Sequence, residues 1–411
     1  MTSPVIALIA SLDTKAAEAQ FLRDRIRAAG VGVVLVDFGI GEAPAPADVD
    51  AAKLAELGGG VLEELRYRRD RASAIEVMMR GAANWASAAY ARGLIAGIIA
   101  IGGSGGTAVG AAAMRALPIG APKVMVSTVA SADVRPYVDV KDIAMINSVV
   151  DFAGVNPISE LVLRNAAAAA AAMALASAEP VSSRPQRLVA ATQFGVTTPA
   201  VEHARTFLAE KGLTLVPFHA TGVGGRAMEA LIVEGMFEAV LDLTTTEWAD
   251  EVVGGTLSAG PSRLEAAAKT GTPQIVVPGA LDIVNFFGEA GVPEQFRARR
   301  IHRHNANVAL MRTSPAENAE IGRRIAEKLN AAVGPAAVLF PLRGVSALDQ
   351  EGCPFFDPEA DNALLEALRQ NLKPAVALRA LDLHLNDRDF AVAAVEALIA
   401  MIEPGKVQAH A

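Results

Sequence analysis

Apolar residues run in short unbroken blocks separated by longer stretches where they recur with helical spacing, the alternation expected of buried strands and covering helices. Val5 to Ala10 reads as a strand, Thr14 to Ala29 as a helix and Val31 to Asp37 as a second strand, a βαβ opening with a short loop at Ser11-Leu12-Asp13. Gly39 to Gly60, with its Ala-Pro-Ala-Pro and Gly-Gly-Gly, reads as a loop excursion around a short helix. A helix from about Arg71 to Arg92 comes next, then strands at Ile98 to Ile101 and Lys123 to Ser127. Asn165 to Ala178 is almost pure alanine, the best helix former and a poor core filler, and predicts a connecting helix.

The pattern then restarts. Glu179 to Pro185 has linker composition, so the domains are placed at 1–178 and 186–411 with 179–185 between them. Strand Leu188 to Thr192, loop Gln193 to Thr198, helix Pro199 to Lys211 and strand Thr214 to Phe218 parallel the opening. Further strands are expected at Ala239 to Leu243, Gln274 to Val277, Val308 to Arg312, Ala336 to Phe340 and Ala375 to Leu383. The expected fold is α/β: two Rossmann-like doubly wound domains with mostly parallel sheets and ligand loops sharing an interdomain cleft.

Composition narrows the class. At 411 residues two cores are expected, and 52% hydrophobic residues with 5% aromatics suit layers of Val, Ile, Leu and Ala. A net charge of −8 argues against a general nucleic-acid surface, and the one compact basic run, Arg66 to Arg71, reads as capping or solvating a helix face. One cysteine, Cys353, excludes an intrachain disulfide and a cysteine zinc site. The first apolar run lacks a preceding basic residue, and the uncharged stretch Gly93 to Met114 is interrupted by glycines, so neither a signal peptide nor a membrane span is expected and the location inferred is cytoplasmic.

The densest chemical signal is Gly102-Gly103-Ser104-Gly105-Gly106-Thr107, between an apolar strand and an alanine-rich helix. Glycines there allow close backbone approach, and the helix start offers unpaired N–H groups and a positive dipole end, the elements of a phosphate cradle with Ser104 and Thr107 as hydroxyl donors. Two other readings fit the same residues. The turn could serve tight packing alone, or it could be a G-x-S-x-G nucleophile elbow that makes Ser104 a hydrolase nucleophile. The spacing matches neither the dinucleotide fingerprint nor a Walker loop.

Polar residues gather where strands end. Asp13, Thr14 and Lys15 come after the first strand; Lys15 could neutralise phosphate oxygens and Asp13 could hold Mg²⁺ or cap a helix. Asp37 stands where an acid can take ribose hydroxyls. Ser127 and Thr128 end another strand. In the second half a glycine turn, His219 to Arg226, includes Gly222, Gly224 and Gly225, with His219 placed to act as a base and Arg226 as an anion clamp. Asp242 to Glu247 carries five oxygen-bearing side chains in six residues, and Asp242 and Glu247 join His219 as candidate catalytic groups. Arg343 comes after a later strand as a substrate contact. His302 and His304, spaced i,i+2 without further ligands, are read as part of a loop.

Leu12 to Lys15, Gly102 to Thr107, Met125 to Thr128, Asp133 to Tyr137, Phe218 to Gly222, Gly224 to Leu231, Leu241 to Glu247 and Pro341 to Ser346 resemble a bacterial, fungal and plant family of uncharacterised proteins. That family is typified by the N-terminal half of the tomato mosaic virus resistance protein, an inhibitor of viral RNA replication. The resemblance spans essentially the whole chain. It implies an ATP-binding protein of two α/β subdomains, a homodimer, with no assigned reaction in bacteria. Together the readings give a cytoplasmic ATP-binding protein, Mg²⁺-assisted, acting on a small metabolite between two domains. A nucleotide-dependent regulatory protein without turnover and a Ser104 hydrolase are the alternatives.

Overall fold

In the computed structural model, residues 3–178 and 186–403 are described, and they fall into two units. The expected linker, 179–185, lies outside the described residues.

The first unit runs β1 (Val5–Ala10), α1 (Leu12–Ala28), β2 (Gly32–Asp37), α2 (Ala51–Leu57), α3 (Leu62–Arg68), α4 (Arg71–Ala91), β3 (Gly97–Gly102), α5 (Ser104–Arg115), β4 (Lys123–Ser127), α6 (Arg135–Val138), β5 (Ala144–Asn147) and α7 (Pro157–Ser177). Its sheet is wholly parallel, in the order β2-β1-β3-β4-β5. Successive strand residues point to opposite faces, so each strand feeds two cores. Ala7, Ile9, Ile98 and Ala100 pack under α2, α4 and α5, while Ile6, Leu8, Ile99 and Ile101 pack under α1 and α7. The alanine run is the second half of α7, which starts earlier than composition suggests because Asn156 and Ser159 form a capping box before Pro157. Among the described residues, α7 is the one helix long and apolar enough to cross a membrane; Leu163, Ala166, Ala170 and Ala174 face the sheet core instead.

The second unit continues with β6 (Arg187–Gln193), α8 (Thr198–Glu210), β7 (Leu213–His219), α9 (Val223–Val233), β8 (Ala239–Asp242), α10 (Glu247–Val253), α11 (Glu265–Thr270) and β9 (Gln274–Val276). After β10 (Ile283–Phe287), β11 (Ile301–Asn305) and β12 (Val308–Arg312) come α12 (Pro315–Leu329), β13 (Ala336–Pro341), α13 (Pro358–Asn371), β14 (Ala377–Leu381) and α14 (Arg388–Ile402). The main sheet is again parallel, in the order β14-β13-β9-β8-β6-β7, and β10, β12 and β11 form a separate antiparallel sheet inserted between β9 and β13. Both units are therefore α/β with mostly parallel sheets. The insertion corrects the reading of residues 302–307 as loop: His302 and His304 lie on β11, with only 306–307 in the turn to β12; His302 meets Phe355 edge-on, and His304 falls where the pairing with β12 shifts register.

Two glycines fix the cover of the first sheet. A Cβ on Gly81 of α4 would fall 1.9 Å from the Leu54 carbonyl oxygen, and one on Gly58 would fall 2.0 Å from that of Val77, so α2 and α4 cross backbone against backbone. Helix propensity favours alanine over glycine by about 1 kcal/mol. Overpacking costs about 1–3 kcal/mol and outweighs it here. Gly81→Ala should therefore lower the urea unfolding midpoint; an unchanged or raised midpoint would refute the close crossing.

Candidate functional site

In the first sheet β1 is flanked by β2 on one side and β3 on the other, so the connections leaving β1 and β3 diverge and open a crevice at the carboxyl ends of these two strands. A cavity of about 450 Å³ lies there. Its walls bring together Asp13, Thr14 and Lys15 after β1 and Gly102, Gly103, Gly105 and Gly106 after β3. A Cβ on Gly102 would fall 2.6 Å from the Gly106 Cα, so the turn folds onto the first turn of α5 in a way only glycine permits. Gly103 is the N-cap of α5 and contributes no side-chain bond to it, which leaves the free N–H groups of that terminus unanswered by a cap.

Other residues singled out in the sequence stand behind the loop. Thr107 donates its hydroxyl to the Gly103 carbonyl at 2.8 Å, and its Oγ1 is 2.6 Å from Ser127 Oγ; both side chains are buried. Thr128 donates its N–H to the Gly102 carbonyl at 3.2 Å. These residues hold the turn in place. Ser104 is exposed at the first position of α5, outside the cavity lining, and its side chain has no partner among the described residues. All six histidines lie beyond residue 200, so the first unit has no histidine for a Ser-His-Asp arrangement around Ser104.

The remaining wall was not legible from sequence. Phe38, Gly39, Ile40, Ala74, Ile75 and Met78 give it an apolar side, and Arg66, Arg69 and Arg71 give it cations. The basic run thus does more than solvate: Arg66 and Arg68 do occupy the last turn of α3, but Arg66, Arg69 and Arg71 also line the cavity. Arg69 ends α3 in the left-handed region at φ 53°, and this bend passes the chain from α3 into α4. Arg66 donates from Nε to the Ile40 carbonyl at 2.5 Å and from Nη2 to that of Gly41 at 2.9 Å.

The same loop is held from the other side by acids. Asp13 accepts the Ser11 hydroxyl and, at 2.9 Å, the Gly41 N–H. A Cβ on Gly39 or Gly41 would fall 2.8 or 2.7 Å from an Asp13 carboxylate oxygen, so both glycines are required by close approach. Asp37 does not line the cavity: it is buried, and one of its oxygens accepts from Leu12 N–H at 2.9 Å and Gly39 N–H at 2.8 Å. Burial raises its carboxyl above the ordinary range. Asp13 is the one carboxylate among the lining residues.

The second unit repeats the reversal between β6 and β8, and here the crevice is filled. Thr197 and Thr244 hydroxyls are 2.7 Å apart, and the Thr244 N–H donates to Thr192 Oγ1 at 2.8 Å. Thr192 donates its hydroxyl to Asp242 at 2.5 Å. Beside them the buried Arg263 donates to both oxygens of Asp242 at 2.6 and 2.9 Å, to Glu247 at 2.7 Å and to Glu229 at 3.2 Å. Three acids around it hold the guanidinium proton far more tightly than usual. Arg263 sits on a loop with no periodic pattern, and nothing in the sequence singled it out.

Glu247 also accepts the N–H groups of Gly222 at 2.7 Å and Gly225 at 3.1 Å. A Cβ on Gly225 would strike the Glu247 carboxylate at 2.1 Å, and one on Gly224 the His219 carbonyl at 1.8 Å. Gly222, at φ 82°, backs onto the Ser258 carbonyl. The turn is therefore wrapped around an acid. His219 is exposed and stacked on Phe194 with ring centroids 5.5 Å apart, and Arg226 is exposed one turn into α9. Arg343 lies elsewhere, after β13, paired with Asp382 at 2.7 and 2.8 Å. Among the described residues no group of three or more His, Cys, Asp or Glu side chains is arranged to hold a metal ion.

Fold and site define a two-domain α/β protein with an anion-suited cavity at the switch point of one sheet. The chain belongs to the uncharacterised protein family UPF0261: its N-terminal domain model matches residues 4–179 and its C-terminal domain model residues 186–402. A UPF0261 protein of Clostridium tetani is 48% identical over 97% of this chain and 99% of its own length. The ToMV resistance protein Tm-1(GCR237) of Solanum lycopersicum is 39% identical over 97% of this chain and 56% of its own. Among solved structures, a UDP-N-acetylglucosamine 2-epimerase from Rickettsia bellii aligns at 9% identity with a TM-score of 0.23, covering 66% of this chain and 78% of that one.

Truncating Glu247 leaves Arg263 paired with Asp242 but strips the acceptor from Arg263 Nε and from the Gly222 and Gly225 N–H groups, and each buried donor so stranded costs about 1–3 kcal/mol. Glu247→Ala should lose stability on that scale, measured by urea unfolding, with Glu247→Gln less damaging because its carbonyl oxygen can still accept from Gly222 and Gly225. A loss in Glu247→Ala no larger than about 0.5 kcal/mol, the range of ordinary surface changes, would show that the cluster does not hold the turn.

Proposed function

We propose that the protein binds a nucleotide polyphosphate, ATP in the first instance, in the cavity of the first unit and uses it to act on a small metabolite. The observation that carries this reading is the coincidence of the β1/β3 switch point with four cations, Lys15, Arg66, Arg69 and Arg71, and an uncapped helix N-terminus. One lining carboxylate against four cations favours a multiply charged anion. The volume, about 450 Å³, is that of an ordinary small-ligand site, and Phe38, Ile40, Ile75 and Met78 supply an apolar side suited to a base. Both features belong to one nucleotide.

Mg²⁺ fits as the companion of the phosphates. Such ions keep most of their water and take one or two carboxylates, and Asp13 is the group on this wall that would hold it; bound there it would neutralise phosphate charge. Asp242 and Glu247 are assigned to positioning the turn from Gly222 to Arg226, and His219 and Arg226 are the exposed polar side chains that this turn presents to a metabolite.

Isothermal titration with ATP and Mg²⁺ should show binding that weakens with salt. Arg69→Ala and Arg71→Ala should each weaken it by about tenfold or more, the scale of a lost charge-assisted hydrogen bond. A Cβ on Gly105 would fall 3.1 Å from Ile75 Cδ1 and 3.8 Å from Arg71 Nη2, so Gly105→Asp places a negative charge in the cavity and should abolish binding. Unchanged affinity in Gly105→Asp would remove the phosphates from this loop. Incubation with ATP and a metabolite panel tests turnover; tight binding with no consumption would replace the enzyme reading by a regulatory one.

A further inference from the structure

A second buried ion cluster lies in the second unit, away from the Arg263 cluster, and it carries too much negative charge for its partners. Arg312, at the end of β12, is 3% exposed and donates to Asp361 of α13 at 2.6 Å, to the Phe355 carbonyl at 2.7 Å and to the Thr313 hydroxyl at 2.9 Å. Asp349 stands 3.7 Å from the same guanidinium. Asp282, just before β10, accepts the Ser346 hydroxyl at 2.7 Å. Asp282 and Asp349 are fully buried, and each has one carboxylate oxygen with no hydrogen-bond partner.

Outside the cluster, the cation Arg343 shares a cavity wall with Asp361 but is exposed and already paired with both oxygens of Asp382 at 2.7 and 2.8 Å. The charged and titratable side chains facing the cluster are Arg312 from β12, Asp361 from α13, Asp349 from the segment between β13 and α13, and His384 from the loop after β14. His384 Nδ1 accepts the Asn386 N–H at 3.1 Å, which leaves Nε2 to carry the ring proton and donate to the Ser346 carbonyl at 3.0 Å. That tautomer is neutral. Three ionised carboxyls around one guanidinium would leave two uncompensated buried charges, a strongly unfavourable arrangement, and the two idle oxygens are where a retained proton would be used.

We propose that Asp282 and Asp361, set on either side of Arg312 and Asp349, share a retained proton at neutral pH, and that its loss in mildly alkaline solution loosens the segment 342–357 between β13 and α13. The cluster ties down the start of that segment: Val345 N–H donates to Asp349 at 2.9 Å and Ser346 reaches Asp282, beside backbone bonds such as Ala280 N–H to the Val345 carbonyl at 2.9 Å. Protons can reach it through a cavity of about 180 Å³ lined by Asp361, Arg343, Gly344 and Phe356. Burial, with the negative charge of Asp349, pushes Asp282 up to about 7 and Asp361 to about 8. A carboxyl raised in the folded state holds a proton that the unfolded chain gives up, so its contribution to stability is complete below the ordinary carboxylate range and lost as pH rises to about 8.

Hydrogen exchange of the whole chain, corrected for intrinsic rates, tests this. Protection across 342–357 should fall between about pH 5 and pH 8 in the wild type and level off above that, and Asp282→Asn with Asp361→Asn should remove most of that fall. Asp250 of α10, itself raised to about 7 by burial, sits outside the cluster, so protection of α10 is the internal control. Infrared difference spectra should show a protonated, water-excluded carboxyl band at neutral pH that disappears on alkalinisation and is smaller in Asp361→Asn than in the wild type, Asp250 contributing equally to both. A band unchanged in Asp361→Asn, or a fall in protection that persists unchanged in the double variant, would overturn the proposal; the single variant, at the partly exposed member of the cluster, carries the test if the double variant does not fold.

Discussion

A parallel sheet that grows outward in both directions from its first strand must open at one place, and this chain meets that constraint twice. In each unit the first strand lies between the second and the third, so the loops leaving the first and third strands turn to opposite faces. Whether the gap stays open depends on the residues that occupy it. In the first unit they are glycines, whose missing side chains leave room; the turn after β3 is Gly102 to Gly106 and the loop facing it carries Gly39 and Gly41. In the second unit the corresponding turn after β8 is Thr244-Thr245-Thr246-Glu247; Thr244 closes on Thr192 and Thr197, while the Thr245 and Thr246 hydroxyls donate to the Val277 and Ile283 carbonyls. One topology therefore yields an open crevice and a closed one.

The closed crevice has its own use. Arg263 could not be buried without its acids, and Glu247 could not order the glycine turn after β7 without being buried beside that guanidinium. Acidic oxygens that would be free to meet a cation or a substrate in an open loop are here engaged by protein donors. Oxygen-rich sequence at a strand end is thus ambiguous: it describes a ligand site only where the neighbouring side chains leave the oxygens to the ligand.

The same ambiguity governs how much of the molecule could be read in the chain. Strands of the two parallel sheets announce themselves as short apolar runs, and Val5–Ala10 and Lys123–Ser127 match their expected bounds. β5 was missed because its residues are half-exposed to exposed at a sheet edge, and β11 because His302, Arg303 and His304 carry no apolar pattern. The glycine turn and Asp13 to Lys15 were visible because glycine and charge at a strand end are local signals. Arg66, Arg69 and Arg71 were visible as a basic run but not as a wall, since only the bend at Arg69 brings them toward a loop more than twenty residues earlier. Arg263 and its acids come from four separate elements, and no local pattern could join them.

Access to solvent also separates the two units electrostatically. In the first, cations stand at the rim of a cavity where solvent and ligand can reach them, with Asp13 the lone lining acid and already engaged by Ser11 and Gly41. In the second, each of two buried arginines is outnumbered by acids, so the excess negative charge is internal and is relieved by protons or by backbone N–H groups rather than by counter-ions. A net charge of −8 is thus no guide to where an anion would bind. Position and burial decide it: acids neutralised in place repel a ligand little, whereas arginines lining a solvent-open cavity beside a helix N-terminus keep their charge within an anion's reach. The cations that an anion could reach therefore lie at the carboxyl ends of β1 and β3.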